Sequence, residues 1–297
     1  VEKLPAKQWR PRCSKLPAKP DVTIKPDAKN TVLLIGAGRM GGAMLKGWLG
    51  AKSFSKIHVV EPKPARALRR LAKEGKLSLS TKLRIDADTK VSAAVLAIKP
   101  QILKEELELL TALGETGALV LSIAAGITTR ALGAHLRADV PIVRAMPNTP
   151  GAIGRGITAL YAPKKLKRSQ RALVESLTSP LGESLWVGDE KLIDAVTAVS
   201  GSGPAYVFLF AEVLAAAACE RGLDAVTADK LARATIAGAG ALLEQDKRSP
   251  AMLRQEVTSP GGTTEAALKV LMGRDGLRPL LRRAVRAAAR RSKELGR

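Results

Sequence analysis

The stretch "TVLLIGAGRMGGAMLKGWL" (31–49) decides how the rest of the chain is read. It opens on a short run of β-branched and aliphatic residues, the mark of a buried strand. Gly36-Ala37-Gly38-Arg39-Met40-Gly41 follows at once as G-x-G-x-x-G, and a helical apolar period opens behind it. In that setting the glycines permit a tight turn, a close backbone approach to a pyrophosphate and close helix–strand packing, while the first helical amides face the anion. A second strand, "KIHVVEP" (56–62), carries Glu61, where an acid accepts from the ribose hydroxyls of a dinucleotide. The cofactor is therefore NADH or NADPH. Glu61 repels a 2′-phosphate and favours NADH, whereas Lys63 in the same turn neutralises that phosphate, so the choice stays open.

Outward from this unit the pattern repeats. "PARALRRLAKEG" (64–75) is helical, "VSAAVLAIKP" (91–100) is a strand, and "QILKEELELLTAL" (101–113) is a helix. "GALVLSIAAG" (117–126), "PIVRAMPN" (141–148), "ITALYAP" (157–163) and "ESLWVGD" (183–189) supply further strands, with the helical "ITTRALGAHL" (127–136) among them. Alternation of this kind argues parallel βαβ units in an α/β sheet. Carboxyl ends of such strands line the ligand crevice. That places Ile35 to Gly41, the backbone of Ala97, Ile98, Lys99 and Pro100, the small Ala124 and Ala125, and Asn148 against the cofactor.

Beyond Glu190 the strand signals stop. The rest reads as helices and turns, and 204–219 is apolar almost all round, which predicts a buried helix. The small residues of "AGAGA" (237–241) allow close helix approach, and an apolar excess predicts an interleaved homodimer. Three regions follow: a disordered basic tail (1–29), a dinucleotide-binding domain (30–190) and a helical dimerisation and substrate domain (191–297).

Composition narrows the chemistry. The chain has 297 residues, a formal charge of +22, 3% aromatics, two cysteines and two histidines. No uninterrupted apolar run reaches 18 residues, so no membrane span is expected. Two cysteines make no disulfide framework and no thiolate metal site, which points to a reducing cytoplasm. The charge predicts attraction to anions, but too few aromatics interleave with it for a nucleic-acid platform. Neither His58 nor His135 sits in a nucleophile–base constellation, so the reaction needs no protein nucleophile, as suits hydride transfer.

Three turn-rich segments remain: "VRAMPNTP" (143–150), "AVSGSGPAY" (198–206) and "EVTSPGGTTEAAL" (256–268). In the last, consecutive amides before a helix form a carboxylate nest with the Thr263 and Thr264 hydroxyls beside it. With "GAGRMGGAML", "VLAIKP" and "DAVTAVSGSGPAY" these ordered motifs resemble pyrroline-5-carboxylate reductase, from about Thr31 to Leu295. The resemblance implies a Rossmann-type domain followed by an all-α domain that interlocks with a second subunit, possibly in a ring of dimers. It implies NAD(P)H-dependent reduction of 1-pyrroline-5-carboxylate to L-proline, the last step of proline biosynthesis. It places the substrate on Ser259, Gly262, Thr263 and Thr264, with the Thr264 hydroxyl at the imine nitrogen and Glu190 and Glu256 nearby. No metal is expected. A β-hydroxyacid dehydrogenase is the alternative, with Lys191 as its base. The tail and the basic excess depart from the family pattern.

Overall fold

The computed structural model describes residues 30–83, 90–105 and 107–296. The basic tail, with Cys13, lies outside the described residues. Thr31–Ile35 (β1), Lys56–Val60 (β2), Ser78–Ser80 (β3), Ala93–Leu96 (β4), Leu119–Ser122 (β5), Ile142–Met146 (β6), Gly156–Tyr161 (β7) and Gly182–Trp186 (β8) pair in one sheet, in the order β3-β2-β1-β4-β5-β6-β7-β8. From β3 to β6 every pairing is parallel. The order reverses between β1 and β4, which opens a crevice at their carboxyl ends, the place where such sheets bind ligands.

Central strands are apolar on both faces because helices cover both. Arg39–Ala51 (α1), Arg66–Lys73 (α2) and Arg168–Thr178 (α6) bury Met44, Trp48, Leu68 and Leu177 with Leu34 and Val95 on one face. The Trp48 indole donates to the Leu177 carbonyl at 2.9 Å, which fixes α1 against the end of α6. Pro100–Glu105 (α3), Leu107–Glu115 (α4) and Thr129–Gly133 (α5) cover the other face around Leu33, Leu96, Leu113 and Leu132.

Departures from the sequence reading are local. The polar "SLS" of β3 pairs only along the sheet edge, where no apolar period is required. β7 runs antiparallel to β6, with Arg144 opposite Tyr161. α5 ends at Gly133, so His135 sits in an exposed turn rather than a helix.

The second half is helical: Leu192–Val196 (α7), Gly203–Glu220 (α8), Ala225–Gln245 (α9), Pro250–Glu256 (α10), Thr263–Leu271 (α11) and Leu277–Leu295 (α12). A π-helical turn at Thr197–Gly201 joins α7 to α8. α8 and α9 pack on each other, and α12 returns to α7, where Ser292 Oγ donates to Asp194 Oδ1 at 2.7 Å. The expectation of a buried helix at 204–219 does not hold within one chain. α8 buries none of its residues, and Phe208 is 67% exposed. Its all-round apolarity has too few neighbours in this chain to cover it. The helical run Leu192–Glu220 is also long and apolar enough, by length and composition, to cross a membrane. Counting uninterrupted apolar residues missed it, because charged residues are few but interspersed.

Candidate active site

Local backbone demands explain the cradle at the β1–β4 crevice. Gly36 has φ +91°, and a Cβ there would lie 2.6 Å from the Ala97 carbonyl oxygen and 2.8 Å from Ile98. A Cβ on Gly41 would lie 2.3 Å from the Gly36 oxygen, so glycine lets α1 close onto the turn. At Gly38 a Cβ would meet nothing within 4 Å. The middle glycine thus faces open space at the start of α1, where a pyrophosphate needs the backbone bare. The cradle fits a dinucleotide.

Glu61, at the end of β2, holds this turn from beneath. Its Oε2 accepts from Ala37 N at 2.9 Å and its Oε1 from Lys63 N at 3.1 Å. The carboxylate is therefore a brace for the loop, and each oxygen keeps a further lone pair able to accept. Ala97 continues β4 by donating to the Ile35 carbonyl, and Pro100 begins α3 with Lys99 exposed ahead of it. Ala124 is buried and Ala125 exposed beyond β5. Asn148 uses its side-chain oxygen to accept from Ile157 N at 3.0 Å, tying the end of β6 to the start of β7. Arg39 and Met40 open α1, Arg39 exposed and Met40 packed against the core.

Glu190 sits at the junction of the halves in a cluster that sequence reasoning missed. Its carboxylate accepts from Thr129 N and from the Thr129 hydroxyl, both at 2.8 Å, and from Arg144 Nη1 at 3.0 Å. The Arg144 side chain is only 6% exposed. An arginine inside the apolar run "PIVRAM" was the available signal, since a buried guanidinium requires a partner. Tyr161, opposite Arg144, has its phenol pKa pushed above the ordinary value, first by burial and then by the negative charges of Glu190 and Asp189.

The segment bearing Ser259, Gly262, Thr263 and Thr264 forms a turn into α11. Gly261 adopts φ +72°, its amide donates to Glu265 Oε2 at 2.8 Å, and the Gly262 amide donates to the Ser259 carbonyl. The Thr263, Thr264 and Glu265 amides have no backbone partner among the described residues, as the first turn of a helix requires. An anion seated here meets those amides, one residue further along than the sequence reading placed the nest. Glu256 pairs with Arg248 at 2.8 Å and is exposed. Neither α10 nor α11 packs broadly on any element of the sheet half, so one chain leaves the nest open. No metal-binding group of three or more His, Cys, Asp or Glu occurs among the described residues.

Residues 31–126 match the family described as NADP oxidoreductase coenzyme F420-dependent, and residues 190–295 the family described as pyrroline-5-carboxylate reductase dimerisation. The chain is 39% identical to a pyrroline-5-carboxylate reductase of Synechocystis over 268 residues, covering 89% of this chain and 97% of that one. It is similar to the solved structure of such a reductase from Coxiella burnetii, with a TM-score of 0.81, 36% identity and coverage of 91% and 100% of the two chains. The structure of Plasmodium falciparum pyrroline carboxylate reductase with NADP bound superposes with a TM-score of 0.74 at 26% identity, covering 92% and 99%.

Proposed function

The chain belongs to the pyrroline-5-carboxylate reductase family and reduces 1-pyrroline-5-carboxylate to proline with NAD(P)H, and we propose that it does so at a site completed by a second copy. The carrying observation is the open nest at the start of α11: three amides with no backbone partner among the described residues, beside two hydroxyls, with no element of the sheet half packed broadly on α11. The Thr263, Thr264 and Glu265 amides hold the substrate carboxylate, and the Thr264 hydroxyl orients the imine nitrogen. When bound, the reduced nicotinamide supplies a hydride to the imine carbon. An iminium substrate brings its own proton, so no side chain has to act as general acid. Gly36, Gly38 and Gly41 seat the pyrophosphate. Glu190 acts through Thr129 and Arg144 as a positioning residue that fixes the 124–129 loop beside the nicotinamide end.

The second copy covers α8 and α9. Phe208, Leu209, Val213 and Leu231 are exposed within one chain, and the dimerisation family spans them. This assignment takes up the apolar surface of Leu192–Glu220 without a bilayer. Dimers form a ring on this reading, and the exposed, unbridged Cys219 fits a reducing compartment, the cytoplasm. The experiment is oxidation of NADPH and of NADH, each followed by absorbance with 1-pyrroline-5-carboxylate. Substrate-dependent oxidation yielding proline supports the reading, and none with either cofactor overturns it.

A further inference from the structure

A cavity of about 420 Å³ lies outside the cofactor crevice, between the outer side of α5, the segment leading into β6, and the loop from β7 to α6. Its size falls within the range of small-molecule sites. β6 is three strands from β1 in the sheet order, or roughly 14 Å at ordinary strand spacing, so the cavity is separate from the glycine cradle. Buried Val140 and Ile142, with Leu166 and Pro163, give it an apolar floor.

Its rim is cationic. Arg130, Arg137, Lys164, Lys165 and Lys167 line it against a single acid, Asp139. That acid is already neutralised: Arg137 donates to both its oxygens, at 3.1 and 2.8 Å. The Arg137 hydrogen bond, then a bond from its own backbone amide, and least of all the Lys164 charge hold the Asp139 carboxyl below its ordinary pKa. Lys164 Nζ also donates to the Ala138 carbonyl at 2.6 Å, which joins the two walls and makes the concavity a built feature. Arg130, Lys165 and Lys167 form no ion pair among the described residues. Like charges lining one concave surface repel, and an anion seated among them relieves that repulsion.

We propose that this cavity is a second ligand site, for a small organic phosphate whose phosphate meets Arg130, Lys165 and Lys167 and whose ring face lies on Val140, Ile142 and Leu166. Guanidinium and ammonium groups sharing one concave lining are the usual chemistry of phosphate recognition. The floor adds a hydrophobic contribution that a bare phosphate cannot draw on.

The test is calorimetric titration of adenosine 5′-monophosphate into the full chain held at saturating NADPH, which keeps the probe out of the cofactor crevice. Saturable binding is expected, weakened about tenfold or more in Arg130→Ala/Lys165→Ala/Lys167→Ala and in the single charge reversal Lys165→Glu. Both variants should keep the NADPH affinity and turnover of the parent, since none of these residues touches the cradle or the nest. Inorganic phosphate, the second probe, should bind about fivefold or more weakly than the nucleotide. Absence of saturable binding, or binding that neither variant weakens, overturns the site. Equal affinity for the two probes overturns the organic class assigned to it.

Discussion

The sheet half and the helical half solve the same problem of burial differently. In β1 and β4 every large apolar side chain is covered within the chain, with Val32, Leu34, Val95 and Leu96 fully buried. In α8 no residue is buried, and Val207, Phe208, Leu209 and Phe210 all face outward. A helix this apolar on every side belongs to a core, and the core it belongs to requires a second chain. The parts to which we assign function divide along the same line. The glycine turn proposed to cradle the cofactor is finished within one chain, whereas the turn proposed to hold the substrate opens outward.

The largest effect should come from breaking the open half. Phe208→Asp puts an unpaired charge where a second copy buries a ring, and dimer affinity should fall about 30-fold or more. Sedimentation velocity should then show monomers that still bind NADPH but turn over little substrate. Persistence of a fully active dimer would remove α8 from the interface. Next in size, Thr264→Val keeps shape but deletes the hydroxyl, and kcat/KM should fall about 5- to 150-fold. Cofactor affinity should not change, because Thr264 and the cradle lie in different halves. A loss confined to cofactor binding would place the substrate elsewhere.

At the junction, Glu190→Gln strips Arg144 of its charge partner and should cost about 2–4 kcal/mol in denaturant unfolding. The same change should bring the Tyr161 phenol pKa back toward its ordinary value, read by absorbance titration, because a negative charge that raises it is gone. Unchanged stability and an unchanged phenol would show that Glu190 does not hold the junction. The smallest effect belongs to Glu61→Ser. Removing its charge should raise the NADPH/NADH ratio of kcat/KM, while loss of the brace on Ala37 N weakens both cofactors modestly. An unchanged ratio would mean that the carboxylate serves the loop alone.

What was legible in the sequence follows from where the physical signals are local. The run from Thr31 to Gly41 specifies strand, turn and helix by itself, because Gly36 and Gly41 each answer a nearby backbone demand. The alternating apolar runs gave the sheet class, but not the reversal at β7, since a strand looks the same in either direction. The edge strand β3 carries only Leu79 among serines and leaves no period to read. Apolarity marks α8 as a helix that needs cover, yet not what covers it, because burial by a second copy and burial by the same chain leave the same pattern. The Glu190–Arg144–Thr129 cluster joins residues 46 and 61 positions apart in sequence, and only the folded sheet brings them together.

The central claim is that the cradle of one copy works with the nest of another, and subunit complementation tests it directly. Gly36→Val closes the cradle, because its Cβ would lie 2.6 Å from the Ala97 oxygen at a φ of +91°. Gly261→Val/Thr264→Val disables the nest. Each variant alone should be nearly inactive. Refolded together in equal amounts, half the dimers are hybrids with one intact site of two, so activity should return to about a quarter of the parent's. Mixtures that stay as inactive as the separate variants would contradict the claim and place the whole site within a single chain.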